Sequence, residues 1–80
     1  MYTVYILYSN SKDKYYVGHT SDIEDRLTRH NTGRNKSTKY GVSWELVYKE
    51  AFSTKSEAYQ RELEIKKKKS RVYIEKLIKG

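Results

Sequence analysis

The sequence of 80 residues contains no cysteine, no proline, only four glycines and only two histidines. Without cysteine it can form neither a disulfide framework nor a thiolate metal site. Two histidines are too few for a zinc site built mainly of imidazoles. The apolar run at residues 2–8 is far shorter than the ~20 residues that span a membrane, and no basic segment precedes it as in a secretory signal. We therefore expect one small cytoplasmic domain over residues 1–80, with no membrane partner.

Tyrosine and positive charge are the abundant features. There are nine tyrosines, and 17 Lys+Arg against 10 Asp+Glu give a formal net charge of +7. This composition favours nucleic-acid binding without being specific for it. The lysine run 66–69 is either a solvated helix end or part of a nucleic-acid-binding groove. Its four side chains cannot all face one duplex, because successive helical residues point ~100° apart. Lys66, Arg34, Lys36 and Lys39 are the candidate backbone contacts.

The hydrophobic pattern predicts an α+β fold in the order ββαβαα, with a three-stranded sheet flanked by helices. Residues 3–9 and 15–19 are β-branched and aromatic, as in a hairpin, and residues 43–52 alternate as a third strand. Both hairpin strands are apolar on two faces, so the sheet should be covered on each side. Three helices are expected, with Ser21, Thr54 and Ser70 as their N-caps. They should end at about Asn31, about Lys69 and Lys79, respectively.

The hairpin brings phenols together. If Tyr5 lies opposite Tyr16, the turn is centred between residues 10 and 11, and the two tyrosines share one face of the sheet. Gly18 lies on the same face, two residues beyond Tyr16. A strand glycine often marks close approach by a ligand or another backbone. The alternative is an ordinary cross-strand aromatic pair with a bulge.

The first helix places Arg26 and His30 on one i,i+4 row at the edge of its apolar stripe. His30 can be a satisfied histidine at the edge of the core or a site residue. Arg26 can be a snorkelling side chain paired with Asp22 or Asp25, or a site cation.

The second helix carries a carboxylate where an apolar residue is expected. Glu62 falls within the arc defined by Ala58 and Ile65, about 40° from Ala58. A partly desolvated carboxylate is costly unless it is paired or binds a cation. Glu62 is therefore either the partner of Lys66 at i+4 or a site carboxylate.

Two phenols, an arginine, a histidine and one inward glutamate restrict the chemistry. A glycosidase needs a second facing carboxylate, and the sequence has no Gly-rich phosphate loop and no nucleophile elbow. One metal-binding carboxylate, a cationic arginine and a phenol or imidazole base would suit phosphodiester hydrolysis.

The same residues resemble a known signature. TVY at residues 3–5 and YVG at 16–18 are similar to the two halves of the GIY-YIG nuclease motif, at a fitting spacing. GHT at 18–20, with Arg26 after it, resembles the helix that follows in the family, and the helix around Glu62 resembles the family's metal-binding helix. The resemblance covers nearly the whole chain and is strongest to the small stand-alone bacterial GIY-YIG proteins, the YhbQ-like group.

The resemblance implies a metal-dependent endonuclease that hydrolyses DNA in repair or processing. DNA is favoured over RNA as the partner, and the implied cofactor is a single Mg²⁺ or Mn²⁺. Two alternatives come from another class: a non-catalytic basic module that binds nucleic acid, and a small RNA-binding accessory protein. Salt-dependent binding without cleavage would favour the binding module.

The resemblance also implies roles for individual residues. Tyr5 and Tyr16 would line the site, one of them orienting or deprotonating the attacking water. Arg26 would stabilise charge on the phosphate, and Glu62 would hold the metal. Gly18 would let the sheet approach the scissile strand, while His30 is a candidate base or phosphate contact. His19 occupies a variable position, and no role is transferred to it.

Overall fold

The computed structural model describes residues 1–31 and 44–80. Within these ranges the elements follow the predicted order ββαβαα, and the α+β fold is confirmed. Helices in the described part are all too short or too polar to cross a membrane. The elements are β1 (Tyr2–Ser9), β2 (Lys14–Thr20), α1 (Ile23–Asn31), β3 (Trp44–Phe52), α2 (Lys55–Lys68) and α3 (Arg71–Lys79).

The hairpin register differs from the one predicted. β1 is central and pairs antiparallel with β2 and β3, but Tyr5 lies opposite Gly18, and Tyr16 lies opposite Leu7. The expected direct pairing of Tyr5 with Tyr16 is therefore wrong. The connection runs over residues 10–13 and is longer than a two-residue turn, with Asp13 at a positive φ of 52°. The shift leaves Tyr5 and Tyr16 as diagonal neighbours on the same face.

A bulge in β3 changes which of its residues face each side. Ile6 pairs with Tyr48 whereas Leu7 pairs with Leu46, so Val47 is an extra residue in the ladder. Leu46 consequently packs with Leu7 on one face, and Tyr48 packs on the other. The predicted third strand exists, but the single alternation expected along it is interrupted.

Apolar side chains cover both faces of the sheet, as predicted. Each fully buried apolar side chain contributes roughly 1.5–3 kcal/mol to the stability of the folded state. On one face α1 covers a cluster made by β1, β3 and its own side chains: Tyr5, Leu7, Trp44, Ile23 and Leu27. On the other face α2 and α3 cover a second cluster, whose buried members are Val4, Ile6, Val17, Ala58 and Ile65.

Helix caps were predicted correctly in two of three cases. Thr54 and Ser70 each accept a hydrogen bond from a backbone N–H three residues on, at 3.2 Å. In α1 the capping residue is Asp22 and not Ser21, because the Asp22 carboxylate accepts from the N–H of Asp25 at 3.1 Å. Aspartate is as good an N-cap as serine, and the N-cap therefore lies one residue later than predicted.

Candidate active site

Two phenols lie together on the face of the sheet that α1 covers. The ring centroids of Tyr5 and Tyr16 are 6.3 Å apart. A Cβ atom on Gly18 would lie 2.7 Å from Oη of Tyr5 and 3.2 Å from the Tyr16 ring. Gly18 thus provides the space that the Tyr5 side chain occupies. Its direct approach to a nucleic-acid strand stays a prediction.

The buried histidine of α1 joins this cluster. His30 is fully buried; its Nε2 lies 3.1 Å from Oη of Tyr5, and its ring lies 4.7 Å from the Tyr16 ring. Burial raises the pKa of the Tyr5 phenol far above its ordinary value, and the neighbouring Tyr16 raises it further. Burial, and then the charge of Arg26, lower the pKa of His30. Tyr5 and His30 are consequently both neutral near pH 7.

Arg26 lies one helical turn before His30 at the edge of the same cluster. Within the ranges 1–31 and 44–80 its buried Nε has no hydrogen-bond partner. The ion pair expected with Asp22 or Asp25 is absent there, and Asp25 pairs with Arg29 instead, at 3.0 Å. A buried donor without a partner is costly. An anion such as a phosphate group is the ligand that a guanidinium in this position fits.

Glu62 projects from α2 on the opposite face of the sheet. It is 8% exposed, which confirms that it lies inside the apolar arc. Its Oε2 accepts a hydrogen bond from Nζ of Lys66 at 2.7 Å, so the predicted i,i+4 pair is also present. Its Oε1 lies 2.6 Å from Nδ1 of His19.

His19 is the site neighbour that the sequence reasoning missed. Besides contacting Glu62, its ring lies edge-on to Tyr59, with centroids 5.7 Å apart. The signal was present in the strand alternation, because His19 shares its face with Val17, two residues earlier. Val17 packs against α2, on the side to which Glu62 was predicted to point.

The two sets of residues meet at the end of the edge strand β2. A groove of about 280 Å³ opens there, between the start of α2 and the first turns of α1. Its lining includes Arg26 from one set and His19 from the other, with Tyr2, Thr20, Ser21 and Lys55. The charges of Arg26 and Glu62 both act on Tyr5: Arg26 lowers the pKa of the phenol and Glu62 raises it, each less than burial does.

The amino-acid sequence itself identifies the family. The sequence matches the GIY-YIG catalytic domain over residues 1–77. The chain belongs to the GIY-YIG family.

Bacterial relatives of this GIY-YIG chain include UPF0213 proteins. A UPF0213 protein of Staphylococcus saprophyticus is 48% identical over 64 residues, covering 78% of each chain. The UPF0213 protein YazA of Bacillus subtilis is 43% identical over 67 residues, covering 79% of this chain and 68% of YazA. The solution NMR structure of a UPF0213 protein from Bacillus halodurans has a TM-score of 0.60 at 34% identity, covering 99% of this chain and 84% of that one.

GIY-YIG nucleases generally use a divalent metal ion, and Glu62 is the residue here that fits one. The described residues contain no group of three or more histidine and acidic side chains placed so that together they could hold a metal ion. A single carboxylate such as that of Glu62 fits a hydrated Mg²⁺, because this ion keeps most of its waters and needs only one or two protein carboxylates. One Glu62 oxygen that such an ion would use, Oε2, is already paired with Nζ of Lys66, whose side chain is exposed.

The remaining candidate contacts divide into two groups. Lys66 lies beside the carboxylate of Glu62, and its contact with nucleic acid stays a prediction. Arg34, Lys36 and Lys39 lie outside the described residues.

Proposed function

We propose that this GIY-YIG protein is an endonuclease that hydrolyses DNA phosphodiester bonds with the help of one divalent metal ion, Mg²⁺ or Mn²⁺. The observation that carries the proposal is the buried, unpartnered Nε of Arg26 at the polar groove. This side chain is positioned for an anion, and the formal charge of +7 attracts polyanions to the surface around it. The family match supplies the reaction class.

Arg26 binds the scissile phosphate and stabilises the charge that grows on its oxygens in the transition state. Preorganised donors of this kind contribute most in a partly dehydrated site, because less solvent screens them. Arg26 is held on α1 between the apolar stripe and the groove, so little reorganisation accompanies substrate binding.

Tyr5 and Tyr16 position the attacking water in different ways. Tyr5 is 2% exposed and protonated at neutral pH, so it orients through its hydroxyl and is a poor general base. Its hydroxyl can donate to Nε2 of neutral His30, which leaves the Tyr5 oxygen free to accept from water. Tyr16 is half-buried and is the more accessible phenol.

Glu62, which contacts the groove residue His19 from the α2 side of the sheet, would hold the metal ion. When bound, a divalent ion polarises a phosphoryl oxygen and lowers the pKa of its water. His19 keeps the carboxylate oriented through Nδ1, and Lys66 is the cation that neutralises it in the absence of metal. The protein supplies a fixed carboxylate and a guanidinium, one on each side of the sheet.

A cleavage assay on three forms of DNA tests the proposal. Purified protein is incubated with labelled single-stranded, duplex and branched DNA, in Mg²⁺ or in EDTA. We expect cleavage of at least one form in Mg²⁺ only, and a loss of about 10²–10³-fold in rate for Arg26→Ala. Arg29→Ala is the matched control, because Arg29 is on the same helix and exposed. If Arg26→Ala cuts as fast as wild type, the site assignment is wrong.

A second candidate function is a non-catalytic nucleic-acid-binding module. The observation that favours it is the occupation of both Glu62 oxygens, by Lys66 and His19. In that case DNA binding would weaken steeply with salt, and no metal would produce cleavage. The same preparations, measured by fluorescence anisotropy at several salt concentrations, separate this function from the nuclease. A competition between DNA and RNA measures the partner preference.

A further inference from the structure

A second cavity lies on the α2 side of the sheet, at the end of β2 opposite to the groove at Arg26. It is an open cleft of about 470 Å³ between the edge strand β2 and the junction of α2 with α3. This volume is within the range of small-ligand pockets, roughly 300–1,000 Å³. Its walls are mainly apolar and partly aromatic, and they include Tyr15, Val17, Ile65 and Ile74.

The rim of this cleft is basic. Lys14, Lys66, Lys69 and Arg71 line it, and Asp13 is the single acid among the lining residues that the structure describes. Arg71 is held by Asp13 at 2.6 Å. Neither Lys14 nor Lys69 forms an ion pair with any residue of the ranges 1–31 and 44–80, so their charges are available to a ligand.

One side chain links the cleft to the carboxylate of Glu62. Lys66 lines the cleft, and its Nζ donates to Oε2 of Glu62 at 2.7 Å. A strand whose phosphate lies at Glu62 therefore has its neighbouring nucleotide within reach of the cleft. An apolar cavity with a positive rim suits an unpaired nucleotide, since the base can enter the cavity while its phosphates meet the cations.

We propose that this cleft binds one unpaired base of the substrate strand, next to the scissile phosphate. The substrate class is then DNA with a single-stranded segment, such as a flap, an overhang or a loop, because bases stacked inside a duplex cannot enter. The place of the cleft in the cleavage reaction rests on the proposed nuclease function, whereas base binding by the cleft does not depend on it.

Binding in EDTA, where no metal-dependent cleavage occurs, tests the proposal directly. The probes are a fluorescent thymidine oligonucleotide of five residues, the same oligonucleotide with abasic sites, and a blunt duplex. We expect the abasic probe to bind about tenfold more weakly, because it has no base to bury against the apolar walls of the cleft. Backbone amide signals of Val17, Lys69 and Ile74 should shift in NMR spectra when the normal probe is added.

A pair of charge reversals provides the matched comparison. Lys69→Glu should weaken binding of the single strand about fivefold, while Lys76→Glu, on an exposed residue of α3 outside the cleft, should change it less than twofold. Equal binding of normal and abasic probes, or amide shifts confined to the groove at Arg26, would overturn the proposal. Preferential binding of an extended peptide to the β2 edge would overturn it as well.

The outcomes for the cleft and for the nuclease are separable. Base-dependent binding without any cleavage would support the cleft and refute the nuclease. Cleavage that proceeds equally well on duplex and single-stranded DNA, without base-dependent binding, would support the nuclease and refute the cleft.

Discussion

At the scale of single residues, the buried carboxylate of Glu62 is the clearest link between sequence and chemistry. Its place in the apolar arc and its pairing with Lys66 were both predictable from helical geometry. The contact with His19 was not, since it joins residues 43 positions apart. This contact depends on how β2 packs against α2. The spacing of residues within either element does not predict the distance between the two side chains.

The Tyr5 hydroxyl can be removed without emptying the core, because Phe fills the same space. Tyr5→Phe should remain folded and lose only the hydrogen bond to His30, at a cost of about 1 kcal/mol in unfolding free energy. Its cleavage rate should fall about 100-fold, since the water loses its orienting group.

Tyr48→Phe is the control for this change, because the Tyr48 hydroxyl bonds to Glu50 on the opposite face of the sheet. Chemical denaturation and single-turnover cleavage should be measured on both variants. Equal rates for the Tyr5 and Tyr48 variants would remove Tyr5 from the site.

The orientation of Glu62 by His19 gives a second prediction at this scale. His19→Leu should raise the Mg²⁺ concentration for half-maximal cleavage about 10- to 100-fold, as when a residue supporting a metal ligand is lost. His19→Asn should largely restore it, because its amide N–H can replace the imidazole donor.

Binding of Mn²⁺ to the two His19 variants, followed by paramagnetic relaxation, gives a readout independent of activity. If both variants bind the ion as wild type does, His19 has only a packing role beside Tyr59.

At the scale of elements, helix α1 is attached to the sheet by a buried polar contact as well as by apolar packing. His30 reaches across from α1 to the Tyr5 hydroxyl of β1, while Ile23 and Leu27 supply the apolar contacts. The helix and its amphipathic face were predictable from the capping residues and the 3.6-residue period. The exact hairpin register was not, because loop length determines it: a loop of 10–13 in place of a two-residue turn moved Tyr16 from Tyr5 to Leu7.

Because the buried His30 helps to attach α1 to the sheet, the stability of the protein should depend on pH. The pKa of His30 is lowered in the folded state by burial and by Arg26, and Tyr5 and Tyr16 are among its other neighbours. In the unfolded chain it returns to about 6.5. The unfolded state then binds more protons, so the unfolding free energy should fall as pH decreases from about 6.5 toward the folded pKa.

His30→Gln removes this titration while keeping a polar side chain. The variant should lose less stability than wild type between pH 7.5 and pH 5, measured by urea denaturation. An identical loss in both proteins would show that His30 does not titrate in this range, and that other groups cause the acid sensitivity.

At the scale of the whole molecule, the candidate site spans both faces of a sheet that is only three strands wide in the described part. Because β2 is an edge strand, side chains from α1 and from the β2–α2 contact reach one groove around its end. Sequence patterns predicted both helices and the covering of both faces, but not that the two sets of residues meet. That meeting depends on the width and edge of the assembled sheet.

The many lysines and tyrosines have different roles in different parts of the molecule. Most of the +7 charge provides general attraction to a polyanion, whereas Lys66 lies at the boundary between the carboxylate and the cleft. Among the tyrosines, Tyr5 and Tyr16 belong to the candidate site, and Tyr15 belongs to the cleft and is covered by Arg71 at 5.2 Å.

The most direct test is the single-turnover rate of DNA cleavage by Glu62→Gln across a Mg²⁺ titration. Glutamine keeps the shape of the side chain and removes the charge that would hold the ion. Glu64→Gln, on the exposed face of the same helix, is the matched control. We predict a rate at least about 100-fold below wild type for Glu62→Gln at every Mg²⁺ concentration, with the control unchanged and DNA binding in EDTA retained. A Glu62→Gln variant that cleaves at the wild-type rate, with the wild-type dependence on Mg²⁺, would contradict the assignment of Glu62 to a metal-dependent nuclease site.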